Sequence, residues 1–152
     1  MIFTRLTWGV KESFRAYVEA AGGTISVRDG AIRDAEGSFV FTALPGGDLA
    51  IVDDGPPTGT LRFQGTVAFE AHGGMLRSTL AELGVEADQD GLVLTAAQAP
   101  GGTRRCTIAR LGPVEATPQG AIILGAVITL DGMFQIADNY PPGTPLDPVR
   151  LD

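Results

Sequence analysis

Short apolar runs separated by glycine and proline most constrain the fold of this 152-residue chain. There are 21 glycines and 10 prolines. After residue 23 the apolar runs between them are too short for ordinary helices. Such runs, bounded by turn-forming residues, are typical of sandwiches and barrels. We therefore predict an all-β fold of about ten mainly antiparallel strands, as a β-sandwich or a flattened barrel. One domain is expected over residues 1–152.

Alternation of apolar and polar residues predicts the individual strands. The clearest strand covers residues 60–72, and Gly65 within it is predicted to be a bulge or corner. Asp29 and Gly30 are predicted to form a hairpin turn. Residues 75–83 fit a strand better than a short helix. Residues 140–152 contain four prolines and are expected to run extended along the surface. The other predicted strands cover residues 24–27, 31–33, 38–42, 49–52, 92–96, 104–111, 121–129 and 133–137.

Residues 7–23 are the one segment with clear helical periodicity. Thr7 is predicted to cap this helix, and Gly22–Gly23 to end it. Tyr17 lies near the middle of the apolar stripe, so we expect its hydroxyl to be buried and to need a hydrogen-bond partner. The stripe is formed by residues spaced three or four apart, namely Val10, Phe14, Tyr17, Val18 and Ala21.

Composition argues against several classes of partner. The net charge is −7 and Lys11 is the single lysine, so no positive field attracts nucleic acid or an anionic membrane surface. No apolar run is long enough to cross a bilayer, so membrane insertion is not expected. The first residues lack the apolar run of a signal peptide. The expected location is the cytoplasm, with export as the alternative if a signal was trimmed.

Common catalytic and metal motifs are missing from the sequence. Its single histidine, His72, has no nucleophile elbow, and no motif supplies two or more His or Cys ligands for a structural zinc. The glycine pairs lack the context of a phosphate-binding loop. Cys106, the only cysteine, lies in an alternating stretch and is predicted to be a buried structural thiol.

Three separated motifs, in the same order, resemble the HtaA-type haem-binding domain of bacterial haem uptake. The first is WGVKESFRAY at residues 8–17. The second is GTVAFEAHGGML at residues 65–76, where Ala71 precedes His72 in place of the usual glycine. The third comprises LDGMF at residues 130–134 and YPPGTPLDPV at residues 140–149. The resemblance spans both ends and the middle of the chain.

This resemblance implies a ligand and roles for three residues. Tyr17 would bind the iron of ferric haem b through its phenolate, His72 would hydrogen-bond that oxygen, and Tyr140 would lie near the pocket. A hard anionic oxygen favours Fe(III) over Fe(II). The implied function is non-enzymatic haem transport, transfer or intracellular handling. The implied partners are haem and a haem donor or acceptor protein, with the oligomeric state left open.

Other interpretations remain open on the residues alone. A tyrosine on an apolar helical face is usually a core residue, and a lone histidine at a strand end is usually solvated or structural. The fold could bind another flat apolar ligand without iron, or serve as a structural or adhesive module. A haem-dependent peroxidase or catalase-like enzyme would need a second acid–base group, for which the sequence offers no obvious candidate.

Overall fold

The computed structural model describes residues 2–99 and 101–152, and the predicted all-β fold with an N-terminal helix is confirmed. The described residues form twelve strands and two α-helices. In chain order these are β1 Arg5–Trp8, α1 Glu12–Ala20, β2 Thr24–Arg28, β3 Ile32–Arg33, β4 Phe39–Ala43, β5 Thr60–Gln64, β6 Thr66–Ala71, β7 Leu76–Ala81, β8 Gly84–Asp88, β9 Gly91–Ala97, β10 Arg105–Ala116, β11 Ile122–Ile128, α2 Leu130–Gln135 and β12 Pro145–Leu151.

Eight antiparallel strands form a closed sheet in the order β1-β12-β11-β10-β9-β8-β5-β4, with β4 pairing back onto β1. The short strand β3 adds to β4 outside this ring. The closure corresponds to the barrel alternative of the sequence prediction. Large apolar side chains of the ring strands form a fully buried core that includes Leu6, Phe41, Phe63, Leu94, Ile108 and Leu124.

A long bent hairpin carries the chain from the closed sheet to a second, three-stranded sheet. Its base is the β5–β8 pair and its outer half is the β6–β7 pair. The bend falls at Gly65, where φ is 128° and a Cβ would lie only 2.8 Å from Phe41 Cδ1. The predicted corner at Gly65 is therefore confirmed. Strand β2 pairs with β6, which gives the order β2-β6-β7. The hairpin tip is the short turn His72–Gly74.

Helix α1 packs on the three-stranded sheet through one apolar side. Phe14 and Val18 are fully buried, and the Phe14 ring lies 4.9 Å from that of Phe69 on β6. Phe69 also contacts Phe39 of the closed sheet edge-on, at 5.8 Å between ring centroids. This aromatic cluster joins the helix, the three-stranded sheet and the closed sheet.

The helix is shorter than predicted, and Thr7 does not cap it. Thr7 lies in β1 opposite Arg150 of β12, and α1 begins only at Glu12. The apolar residues before the helix serve β1 instead, because Leu6 and Trp8 are buried in the sheet. The predicted end is confirmed, since the Gly23 amide donates to the Val18 carbonyl at 2.9 Å.

The prediction of a surface-lying tail was wrong. Residues 145–151 form β12, which pairs with both β1 and β11. Leu146, Val149 and Leu151 are buried, whereas the residues between them are more exposed. Pro145 begins the strand, and proline is tolerated at that position. The alternation of burial, rather than the proline content, decides the structure here.

Four further segments differ from their predictions. Residues 133–137 fall mostly in α2, whose Gly132 amide donates to the Thr129 hydroxyl at 3.0 Å. Residues 49–52 form only an isolated bridge, Ala50 with Thr58. Strand β8 was not predicted. Asp29 and Gly30 have the positive φ expected of a hairpin turn, but β2 and β3 enter different sheets. Tertiary pairing overrides local turn chemistry in this segment.

Candidate functional site

The side chains of Tyr17 and His72 meet at the tip of the bent hairpin. The Tyr17 hydroxyl oxygen lies 2.6 Å from His72 Nε2, which is a short hydrogen bond. The two rings are tilted by 58° with centroids 5.7 Å apart. The tautomer of His72 fixes the donor: a protonated Nε2 donates to the phenol oxygen, and an unprotonated Nε2 accepts the phenol proton. A phenolate at Tyr17 requires the first arrangement.

The turn that holds His72 has a left-handed backbone. His72, Gly73 and Gly74 have φ values of 55°, 66° and 93°. Positive φ is uncommon for a residue other than glycine, although histidine is among those that adopt it more often. The two glycines that follow have no Cβ, so they continue the turn without steric cost. The strained backbone directs the imidazole toward α1.

Tyr17 lies at the edge of the apolar stripe, so the prediction of a buried hydroxyl was wrong. Its side chain is 50% exposed, whereas Phe14 and Val18 on the same helix are fully buried. The expected hydrogen-bond partner is present, but it meets the hydroxyl in an open site. An exposed phenol beside an imidazole is accessible to a ligand in a way that a core tyrosine is not.

Apolar side chains project into solvent at the start of β7 and on α2. Met75, directly after the turn, is 91% exposed, and Phe134 on α2 is 71% exposed. Both line a groove of about 350 Å³ between the start of β7 and α2. Ser78 anchors the groove, because its hydroxyl donates to the Gln135 carbonyl at 2.6 Å. Exposed apolar side chains that line a groove are typical of ligand sites.

Tyr140 packs behind the helix, and the structure does not join it to the Tyr17–His72 pair. Its ring meets Phe14 edge-on at 6.1 Å, and the Lys11 ammonium lies 5.6 Å from its centroid. Lys11 Nζ also donates to the Pro145 carbonyl at 2.8 Å. These contacts support α1 from the side of the C-terminal segment. A ligand contact by Tyr140 remains a prediction.

A buried ion pair fixes the start of α1, and sequence reasoning did not find it. Arg15 Nη1 lies 2.7 Å from Asp147 Oδ2 and also donates to the Gly9 carbonyl at 2.7 Å. Asp147 Oδ1 accepts the Glu12 amide at 3.0 Å and so replaces the missing side-chain cap. The Trp8 indole donates to the Asp147 carbonyl at 2.7 Å. The sequence offered one clue to this ion pair, because Arg15 and Asp147 carry opposite charges and lie in two of the separated motifs.

Neither clustered metal ligands nor a reactive thiol is present in the described residues. Residues 2–99 and 101–152 contain no group of three His, Cys, Asp or Glu side chains placed to hold a metal ion. Cys106 is only partly buried, so the prediction of full burial was too strong. Burial raises the pKa of its thiol, the negative charge of Asp131 raises it further, and Arg105 opposes both. Among the described helices, none has the length and apolar character required to cross a membrane.

The structure is that of a small all-β domain with an open site. It has a closed antiparallel sheet, a docked helix and a tyrosine–histidine pair at a hairpin tip. The chain belongs to the Htaa family, whose sequence profile matches residues 4–152. No curated protein matches the chain significantly.

Solved structures from Corynebacterium glutamicum share this fold. The N-terminal domain of HtaA is 25% identical with a TM-score of 0.75, covering 99% of this chain and 96% of that domain. The C-terminal domain of HtaA is 24% identical with a TM-score of 0.69, covering 98% and 95%. The heme binding protein HtaB is 19% identical with a TM-score of 0.66, covering 98% and 91%.

Proposed function

We propose that this protein binds ferric haem b for transport or transfer, with the Tyr17 phenolate as axial ligand and His72 as the donor to that oxygen. The observation that carries the proposal is the 2.6 Å contact between the Tyr17 oxygen and His72 Nε2 in an open site. Membership of the Htaa family and the fold shared with a heme binding protein support it. Ferric iron, when bound, supplies the Lewis acidity that favours the phenolate.

His72 can stabilise the phenolate that remains when the phenol proton of Tyr17 passes to solvent. A phenol becomes an iron ligand only as the phenolate, and an imidazole N–H donated to the oxygen stabilises that charge. The left-handed turn holds the imidazole within hydrogen-bonding distance of the phenol oxygen. Preorganisation lowers the ordering cost of binding. His72 therefore acts on Tyr17 and not on the iron.

The groove beside the hairpin tip suits a large flat apolar ligand. Met75 and Phe134 expose apolar surface that a macrocycle would cover. Both belong to the groove beside the hairpin tip, which provides a wall for such a ligand. A porphyrin combines a flat apolar body with a central ferric ion, and so meets both the apolar and the phenolate features. A flat apolar ligand without iron would use only the first of these features.

Titration with hemin, followed by visible absorbance, tests the proposal. Wild-type protein is expected to bind one hemin per chain, and Tyr17→Phe to fold normally but lose affinity by more than about 100-fold, because it removes the ligand itself. Tyr140→Phe removes the other tyrosine hydroxyl, and its iron-ligand absorbance bands should stay those of the wild type.

Three outcomes separate the possibilities. Unchanged hemin binding by Tyr17→Phe would remove tyrosine ligation from the proposal. Binding of iron-free protoporphyrin as tightly as hemin would favour the alternative ligand class, in which the iron contributes nothing. No binding of either compound would leave a structural or adhesive module.

A further inference from the structure

Arg77 places a positive charge beside the turn that carries His72. A Cβ on Gly74 would lie 2.8 Å from Arg77 Nη2 and 3.1 Å from Nε, so the guanidinium lies over the Gly74 backbone. Gly74 is two residues from His72, and their Cα atoms are therefore at most about 7 Å apart. The Arg77 guanidinium therefore lies at the same end of the hairpin as His72, although Arg77 and its cross-strand neighbour Glu70 project from the face opposite Phe69.

Among the described residues, no carboxylate lies within ion-pair distance of this guanidinium. Within residues 2–99 and 101–152, the ion pairs of the protein involve other arginines, and none includes Arg77. Glu70 is opposite Arg77 on β6, and Asp138 lines the same groove, but neither forms an ion pair with it. Lys11 is a weaker candidate than Arg77 for binding an anion, because its ammonium is already hydrogen-bonded to the Pro145 carbonyl and lies over the Tyr140 ring.

The groove therefore combines an apolar wall with one cation at its rim. Met75, Phe134 and Arg77 all line it. In a protein of net charge −7, an exposed arginine without an ion pair would attract an anionic group. The planar fork of arginine suits a carboxylate, which it can hold through two parallel hydrogen bonds.

We propose that Arg77 binds a carboxylate of the ligand, so that the site selects flat tetrapyrroles with free acid side chains over uncharged ones. This inference rests on the proposed function and deepens it, because it concerns the periphery of the ligand and not the iron. Arg77 contributes a charge-assisted hydrogen bond at an exposed position, so the expected effect is about 3- to 20-fold in affinity.

Comparison of hemin with its dimethyl ester, in which both carboxylates are blocked, tests the inference. Wild-type protein should bind hemin about tenfold more tightly than the ester at low salt, and the preference should shrink as salt is added. Arg77→Gln should bind both compounds with the affinity that the wild type has for the ester. Its iron-ligand absorbance bands should not change, because Tyr17 is intact. Arg77→Lys should keep part of the preference as a point charge.

Arg62→Gln is the matched control. Arg62 is exposed on β5 and has no ion pair among the described residues. The six residues of β6, about 20 Å of strand, separate its end of the hairpin from His72. This variant makes the same change in net charge and should retain the wild-type preference.

Equal binding of hemin and ester by the wild type would overturn the role of Arg77 and leave haem binding standing. Retention of the full preference by Arg77→Gln would do the same. A loss of preference in Arg62→Gln as large as in Arg77→Gln would reduce the effect to net charge and also overturn the assignment. A wild type that binds neither compound would overturn the proposed function, and this inference with it.

Discussion

At the scale of single residues, the exposure of Tyr17 distinguishes this site from an ordinary core. Its hydroxyl has a partner, but half of the side chain faces solvent. The helical period placed Tyr17 on the stripe of Phe14 and Val18, and a hydrophobic pattern cannot distinguish the centre of a stripe from its edge. The distinction depends on where the hairpin tip lies, which is a tertiary feature.

His72→Ala is predicted to weaken hemin binding by about 10- to 100-fold, which is less than the loss in Tyr17→Phe, because it removes the group that orients the ligand and not the ligand itself. Without the imidazole, protons compete more effectively for the phenolate oxygen, so the midpoint of haem release should lie at higher pH. Absorbance titrations between pH 8 and pH 4 measure both effects.

Two results would contradict this account of His72. A larger affinity loss in His72→Ala than in Tyr17→Phe would identify the histidine as the axial ligand. An unchanged release midpoint would mean that the 2.6 Å contact does not protect the phenolate. Tyr140→Phe serves as the control for the release midpoint, since it removes a phenol hydroxyl from a ring that packs edge-on against Phe14.

At the scale of elements, the position of α1 depends on a partner far away in the sequence. The Arg15–Asp147 pair and the Glu12 amide replace a local cap, and the Arg15 side chain is only 10% exposed. A buried arginine that loses its partner carries an uncompensated charge. The same helix carries Tyr17, so the ion pair controls how the phenol is presented to the hairpin tip.

Asp147→Ala is predicted to lower the free energy of unfolding by about 3 kcal/mol, because it strands Arg15 and removes the cap of α1. Hemin affinity of the folded variant should also fall, since the helix start is no longer fixed. Urea denaturation and hemin titration provide the two measurements.

Asp88→Ala is the control for Asp147→Ala. Asp88 accepts two hydrogen bonds from Arg110 in an exposed pair, and this contact lowers the pKa of the Asp88 carboxyl. Exposed pairs of this kind contribute little to stability, and the pair is not part of the site. If both substitutions lower the free energy of unfolding equally, Asp147 contributes no more to stability than an exposed carboxylate does.

The elements that sequence patterns missed are those with few local signals. Strand β1 has only four residues and lies shortly before α1, so Thr7 and Trp8 were included in the predicted helix. Strand β12 contains two prolines and was predicted as a surface tail. The predicted strand 60–72 contains β5 and β6, and β10 begins one residue after its predicted start but continues to Ala116 instead of ending at residue 111. Their alternation extends over enough positions to be recognised. Pairing of β1 with β12 closes the ring, so the closure itself was not predictable from either segment alone.

At the scale of the whole molecule, the proposed function predicts a carrier of oxidised haem. Phenolate binds Fe(III) better than Fe(II), and each tenfold difference in affinity lowers the midpoint potential by about 59 mV. The ferric complex should resist reduction, and reduction by dithionite should release haem or change its ligand. Apomyoglobin added to the ferric complex should take up haem at a measurable rate.

The same experiment separates carriage from catalysis. Peroxide turnover should be slow, because no second acid–base residue is assigned to the site beyond His72. A stable ferrous complex that binds dioxygen would contradict the carrier. Rapid peroxide decomposition by the wild type that is lost in Tyr17→Phe would show that the protein is a haem-dependent enzyme and not a carrier.

The long-range contact between Arg15 and Asp147 also sets an order of events on the ribosome. The two residues are 132 positions apart, so at about 5–20 residues per second Asp147 is made roughly 7 to 26 seconds after Arg15. Throughout that interval α1 has no acidic cap, and β1 lacks its β12 partner. The phenol therefore reaches its final position only after β12 has been made. Under the proposed function, haem loading follows the synthesis of β12 and does not precede it.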